Sequence, residues 1–323
     1  MTTGEPRLGP GEEFDRIRSL ARALGSRAAG LGDDCALVDL GGEILAASTD
    51  LSIENVHFRR DWLSFDEIGW RCAAAALSDL AAVGAMPIGV LTAIGAPGTS
   101  VQSELDQVMS GVGALLDETG GVVLGGDLSS SPVWTVSVTV LGRARRPVLR
   151  SGGKPGDSVW VTGSLGGARA ALETWLGGEQ PAPSSRESFA RPHPRLLAGV
   201  WLADTGASAM IDLSDGLGGD VRHLSAASGV AITIELSLLP VHAGVPDAAR
   251  RIGEDPRVFA AGGGEDYELL ALLPPEFTPA MAQRFEAHAG IGLARVGSVE
   301  EGAGVRLLLD GTPVEIAGYD HFR

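Results

Sequence analysis

Lysine is almost missing from this chain. Lys154 is the single lysine among 25 basic residues, and the rest are arginine. A phosphate-binding P-loop needs a lysine inside a GxxxxGK[ST] frame, and Lys154 is followed by Pro155 with no such frame before it. Protein-kinase chemistry needs a lysine on a strand, and none is available. Any ATP chemistry here must therefore run on another architecture. Cysteine is scarce too: Cys35 and Cys72 make neither a disulfide framework nor a thiolate zinc site. Six scattered histidines show no zinc spacing. The most apolar stretch, Trp70 to Ile94, contains Arg71, Asp79 and Pro87, and reads as a helix, a turn and a buried strand rather than a membrane span. The polar start of the chain lacks an apolar signal core, so a cytoplasmic protein is expected. Net charge is −16 with a pI near 4.7. Such a surface repels nucleic acid and anionic membranes, which are set aside as partners. It also repels free ATP, so a nucleotide site would need metal ions or local arginine.

With 323 residues, 44% apolar and 20% charged, the chain has the balance of a globular protein of two domains. Spacing predicts helices over Glu12–Leu24, Asp66–Val83, Val101–Glu118, Arg195–Thr205, Leu217–Ser228 and Pro275–Ala289, with another after Gly163. Strands are expected at Ala36–Leu40, Glu43–Asp50, Ile88–Ile94, Val122–Leu124, Val133–Leu141, Ser158–Thr162, Ser208–Asp212, Val230–Glu235, Tyr267–Leu273, Ala294–Val299 and Val305–Leu309. The Pro/Ser-rich stretch Gln180–Pro194 reads as an exposed loop. An Arg/Gly/Pro seam at Arg143–Asp157 places a domain boundary near Arg146, giving domains 1–146 and 147–323. Both halves mix strands and helices, so the fold class is α/β.

The informative feature is a set of acidic clusters at breaks in the pattern: Gly32-Asp33-Asp34, Ser48-Thr49-Asp50, Ser78-Asp79, Gly125-Gly126-Asp127, and Asp212-Leu213-Ser214-Asp215-Gly216. Ligands of open α/β sheets gather at strand ends. Mg²⁺ takes hard oxygen ligands, and phosphoryl transfer needs metals to neutralise the transferred group. Each cluster alone reads more readily as a helix cap or turn, Asp215 before Gly216 above all. Five together are harder to explain that way. Asp79 is the sharpest case, because it lies inside an apolar helix where a carboxylate is costly to bury unless paired or metal-bound. Gly-rich turns at Gly125-Gly126, Gly163–Gly167 and Gly262–Gly264 let backbone N–H groups approach phosphate. Arg150 is a candidate phosphate clamp or a solvated surface arginine. His57 follows a strand end.

Taken in order, these segments resemble the thiamine-monophosphate kinases. The pieces are Gly32-Asp-Asp-Cys-Ala-Leu, Ser48-Thr-Asp with His57-Phe58, Leu77-Ser-Asp-Leu-Ala-Ala-Val-Gly-Ala-Met-Pro, Gly125-Gly-Asp, Arg150-Ser-Gly-Gly-Lys-Pro-Gly-Asp, Asp212-Leu-Ser-Asp-Gly-Leu, Gly263-Gly-Glu-Asp-Tyr-Glu-Leu and Gly318-Tyr-Asp-His-Phe. The resemblance implies two mixed α/β domains of the aminoimidazole ribonucleotide synthetase type, with the N-terminal domains pairing into a homodimer through a continuous sheet. It implies transfer of the γ-phosphoryl group of ATP to thiamine monophosphate, with several Mg²⁺ ions. Carried over by position, Asp33, Ser48, Thr49, Asp50, Asp79, Asp127, Asp212 and Asp215 fall on metal positions. Gly126, Asp127, Arg150 and Ser214 fall on the nucleotide side, and His57, Glu265 and Tyr319 on the thiamine phosphate side. Leu128 stands where many relatives have threonine, so a hydroxyl there would have to come from Ser129 or water. The nucleophile is already an ionised phosphate oxygen, so neither a covalent intermediate nor a strong general base is expected. Two other readings stay open: a sister ATP enzyme of the same fold, and a non-catalytic regulator that binds metal and nucleotide.

Overall fold

The computed structural model describes residues 6–28 and 30–322; the polar start of the chain at 1–5 lies outside them, as do residues 29 and 323. Helix α1 (Glu12–Leu24) precedes a five-stranded sheet formed by β1 (Ala36–Asp39), β2 (Ile44–Ile53), β3 (Ala85–Ala96), β4 (Val122–Ser130) and β5 (Thr135–Ala144). The strand order is β1-β2-β5-β3-β4. Gly41 and Gly42, both at positive φ, close the β1–β2 hairpin, and the Asp39 carboxylate accepts from both of their N–H groups. β3 and β4 run parallel, joined by helix α3 (Gln102–Thr119); the other pairs are antiparallel. Helix α2 (Phe65–Ala82) links β2 to β3, and Glu67 reaches back to the Ser64 N–H at its start.

Only one face of this sheet is covered. On β5, Val136, Val138 and Val140 turn inward under the helices, while Ser137 and Thr139 turn outward. The edge strand β4 is exposed along its whole length, with Val122, Val123, Leu124 and Leu128 in the open. α2 and α3 touch backbone to backbone. A Cβ on Gly69 would lie 1.9 Å from the Val108 carbonyl oxygen, and one on Gly111 would lie 1.8 Å from that of Asp66.

The second sheet has seven strands: β6 (Ser158–Thr162), β7 (Ala209–Asp212), β8 (Ala231–Glu235), β9 (Leu269–Leu273), β10 (Leu293–Glu300), β11 (Gly304–Leu309) and β12 (Thr312–Val314). Their order is β12-β11-β8-β10-β6-β9-β7. β6, β7 and β9 are buried at every residue, as continuous apolar strands covered on both faces should be. Helices α4 (Gly167–Leu176), α5 (Pro183–Ala190), α6 (Leu196–Thr205), α7 (Leu217–Ser228), α8 (Val245–Ile252), α9 (Pro256–Ala261) and α10 (Pro279–Ala289) surround it. Helix α2 lies between the two sheets. On the second-sheet side, α6 meets it at Gly199, where a Cβ would come within 2.0 Å of the Ala81 carbonyl oxygen.

The segment Gln180–Pro194 differs from its expectation as an exposed loop. It holds α5, which buries Ser185, Phe189 and Ala190. Arg186 makes two bonds to Glu67, Arg191 pairs with Asp66, and the Trp70 indole N–H donates to the Pro192 carbonyl at 2.9 Å. Partners more than a hundred residues away order this segment, and no local pattern records them. Among the described residues, no helix is long and apolar enough to cross a membrane.

Candidate active site

Arg71, Ala75 and Asp79 stand at four-residue spacing on α2, so they form one stripe along the helix. All three line a cavity of about 600 Å³ between the two sheets. The helix gives the cavity two chemically different ends.

At the Asp79 end, carboxylates converge. Oxygens of Asp34, Asp79 and Asp212 lie within 4.8 Å of one another. Asp50 and Ser48 arrive on one face of β2, and the Ser48 hydroxyl donates to Asp79 at 2.5 Å. Asp212 ends β7 and accepts from the Ser78 hydroxyl at 2.6 Å. Burial is the main cause that raises the pKa values of these acids, with like charges second. Asp212 is pushed up to about 8 by burial and then by Asp34; burial raises Asp50 to about 6. Asp79 is raised well above the ordinary carboxylate range by burial, then by Asp50 and Asp212. Burial and then Asp34 bring Asp33 to about 7, while burial and then Glu13 bring Asp215 to about 6. One cation is already committed here. Arg150 grips Asp34 through two bonds of 2.7 and 3.1 Å, and its backbone N–H donates to Asp33. Burial alone would lower Arg150, but Asp34 outweighs it and holds the guanidinium charged.

No acidic side chain of the five clusters caps a helix. Asp50 is inside β2, Asp79 inside α2 and Asp127 inside β4, and Asp33 precedes a strand. α7 begins at Gly216 with no side-chain cap, so Asp215 is free of that duty; it lines the cavity with Ser214, and its carbonyl accepts the Tyr319 N–H at 2.9 Å. The cap role falls instead to Asp266, which accepts from the Gly166 N–H at the start of α4.

The other end holds His57, Glu265 and Tyr319, the last 56% exposed. The His57 Nδ1 accepts the Ile53 N–H at 3.1 Å, which leaves the proton on Nε2. Burial, and then His321, lower the basicity of His57, so its ring is a neutral donor. Glu265 sits at φ 66°, and its N–H donates to the Ser214 carbonyl at 2.7 Å.

Three expected residues lie elsewhere. Thr49 points to the opposite face of β2 from Ser48 and Asp50, where its hydroxyl meets that of Thr139 at 2.9 Å. Gly126 and Asp127 line a separate hollow on that outer face, with Ser137 and Thr139. β4 is three strands from β2, so Asp127 is about 14 Å from β2 across the sheet. Within one chain it does not join the Asp79 cluster. Leu128 is 61% exposed beside it.

Four residues of the site were not singled out as such from sequence. Asp34 was recognised in its cluster but not as a ligand. Asp220, on the first turn of α7, is 2% exposed and has one carboxylate oxygen without a hydrogen-bond partner. His321 packs between His57 and Tyr319, with ring centres 5.0 and 4.9 Å away. Arg71 carried the same signal as Asp79, a charge inside an apolar helix, and that signal would have found it.

Known proteins resemble this chain in sequence and fold. The family profile described as AIR synthase related protein, N-terminal domain, matches residues 32–144, and the corresponding C-terminal domain matches residues 154–310. The chain is 34% identical to the thiamine-monophosphate kinase of Mycobacterium tuberculosis, over 99% of this chain and 93% of that one. It is 32% identical to the thiamine-monophosphate kinase of Aquifex aeolicus, over 96% and 98%. A solved structure of AaThiL complexed with AMPPCP and TMP superposes with a TM-score of 0.86 at 33% identity, covering 97% of each chain. The hydrogenase maturation protein HypE in complex with ATP shares the fold at 19% identity, with a TM-score of 0.73.

Proposed function

The chain belongs to the thiamine-monophosphate kinase family, and we infer that it passes the γ-phosphoryl group of ATP to thiamine monophosphate, giving thiamine diphosphate and ADP. The observation that carries the reading is a single cavity with a carboxylate cluster at one end and His57, Glu265 and Tyr319 at the other. A relative of the same length and fold holds an ATP analogue and the acceptor together.

The carboxylate end fits Mg²⁺. Buried acids pushed together and raised in pKa are what a divalent cation would relieve, and nearby Asp220 keeps one buried carboxylate oxygen without a hydrogen-bond partner. Asp33, Ser48, Asp50, Asp79, Asp212 and Asp215, joined by Asp34, are the residues that would hold several such ions between them. When bound, Mg²⁺ supplies positive charge against the β- and γ-phosphates and the acceptor phosphate. Ser214 and Arg150 face the nucleotide, with Arg150 kept in place by Asp34. His57 offers its Nε2–H to the acceptor phosphate as a neutral donor. Glu265 and Tyr319 receive the heterocycle, a carboxylate suiting an amino group and an aromatic face suiting a cation. The acceptor oxygen attacks the γ-phosphorus, the bond to the β–γ bridging oxygen breaks, and ADP leaves with that electron pair. The acceptor oxygen is ionised near neutral pH, so no base is required of the protein.

Thr49, Gly126 and Asp127 enter this reading through a homodimer. β4 is an apolar edge strand bare on both faces, a surface that seeks a partner. A second copy pairing there would bring its own outer face toward the first and supply Asp127 across the interface. Residues 1–146 then form an ATP/Mg-binding and dimerisation domain and 147–323 the second α/β domain. Two separate sheets, the first ending at Ala144 and the second starting at Ser158, support the division. A cytoplasmic setting follows from use of ATP.

Steady-state kinetics with ATP and Mg²⁺ tests the function through ADP release. Thiamine monophosphate should turn over and free thiamine should not, because its hydroxyl would need a base that the cavity does not aim at it. Comparable turnover with thiamine would sink the mechanism, and no turnover with either would point to a sister enzyme of the same fold.

A further inference from the structure

We infer that Arg71 is the positioning residue of the acceptor end: one guanidinium fixes the His57 turn and the Glu265 loop relative to each other, and so sets where the acceptor binds. The inference rests on the reading that thiamine monophosphate occupies that end.

Arg71 is 3% exposed, and a cation this deep is tolerated only when its donors are used. They go to three segments far apart in the chain. Nε donates to the His57 carbonyl at 3.3 Å, Nη1 donates to the Phe189 carbonyl at 2.5 Å, and Nη2 pairs with Glu265. The guanidinium also lies on the Phe189 ring, 3.8 Å from its centre. A planar fork with five donors makes this possible; one ammonium does not reach all three.

Each segment needs such a tie. The His57 turn runs through Asn55 at φ 67°, and Glu265 is itself at φ 66°. Left-handed conformations at non-glycine residues persist only where the surroundings over-determine them. α5, which supplies Phe189, is in turn bound to α2 through Glu67, Asp66 and Trp70. The acceptor end is therefore referenced to α2, the same helix that places Asp79 at the phosphate end.

The pairing also bears on specificity. Arg71 engages one oxygen of Glu265 and leaves the other, in a side chain 28% exposed, to accept from a ligand. That suits an acceptor carrying an amino group on a flat ring, and a Glu265 freed from Arg71 would lose its orientation.

Kinetics of three variants test this, each checked for folding by thermal unfolding. Arg71→Gln should raise the KM for thiamine monophosphate by about tenfold to a hundredfold, with the KM for ATP little changed. Arg71→Lys, which keeps the charge against Glu265, should fall between Arg71→Gln and wild type. Phe189→Leu removes the ring under the Arg71 guanidinium and keeps an apolar side chain in the core. It should raise the acceptor KM by about threefold to tenfold, and it decides the matter if Arg71→Gln does not fold. An unchanged acceptor KM in folded Arg71→Gln, or in Phe189→Leu, would overturn the inference, as would equal rises in both KM values. Absence of wild-type turnover would overturn the functional reading and the inference with it.

Discussion

Arg71 and Asp79 stand about 12 Å apart on one face of α2, and their surroundings are opposite in kind. Arg71 is complete: one carboxylate, two carbonyls and an aromatic ring meet it within the chain. Asp79 is incomplete: its neighbours are mostly other acids, and a single serine hydroxyl donates to it. A buried charge with all its partners in place organises structure. A buried charge among like charges signals something that comes from outside the chain. Burial of a charge says that it matters, and its partners say for what.

Removing the incomplete end should have the largest effect. Asp79→Asn and Asp50→Asn should each lower turnover by about a hundredfold to a thousandfold or more, since both carry charge toward the transferred group. Neither should unfold the protein. In the absence of Mg²⁺ each should raise the melting temperature, because a repelling carboxylate has gone. Either variant retaining full activity would place that residue among the structural acids, and the contrast with Arg71 would collapse.

A second test asks whether the missing partners include another copy of the chain. Asp127 and Thr49 face away from Asp79, so a chain carrying Asp127→Asn and a chain carrying Asp50→Asn should both be weak alone. Mixed after co-refolding or co-expression, they should recover about a quarter of wild-type activity, as half the dimers regain one intact site. No recovery, or sedimentation of the wild type as a monomer at micromolar concentration, would show that the phosphate end is completed without a partner.

The smallest effect is on stability against pH. Asp212 is raised from 3.8 to about 8, so the folded protein holds a proton that the unfolded chain releases. Stability then falls as pH climbs through that window, and Asp33, Asp50 and Asp215 add to the fall between about 4 and about 7. The metal-free protein should therefore melt several degrees lower at pH 8 than at pH 5. Excess Mg²⁺ should remove most of that slope, because it binds the ionised form of the native state alone. A melting temperature that rises with pH in chelator would mean that the acids are relieved within the chain.

Much of the fold and most of the phosphate end were legible in the sequence, for a physical reason. Glu12–Leu24, Ser158–Thr162 and Leu217–Ser228 were read to the residue, because local periodicity and glycine punctuation specify them. Asp50, Asp79 and Asp212 stood out because acids in apolar strands and helices break pattern. The gaps are where meaning depends on partners distant in the chain. Gln180–Pro194 has the composition of a loop, and only Glu67, Asp66 and Trp70 make it a helix with a buried face. Strand alternation separates Thr49 from Asp50, which consecutive numbering hides. β4 was read as three residues and runs for nine, since its glycines and Asp127 look like a turn until β3 is beside them.

Gly199 determines how this enzyme can move. Where α6 crosses α2, main chain rests on main chain, and no rotamer stands between them to take up a slide. Shear along a helix pair depends on side chains that repack in small steps, and at Gly199 there is none to repack. That contact resists sliding of α6 along α2. The short C-terminal run Gly318–Phe322 borders the cavity with three of its residues, and it too is tied down: by the Asp215–Tyr319 backbone bond, by His321 between two rings, by the Glu12 N–H donated to Asp320 at 2.8 Å and by Arg16 over the Phe322 ring.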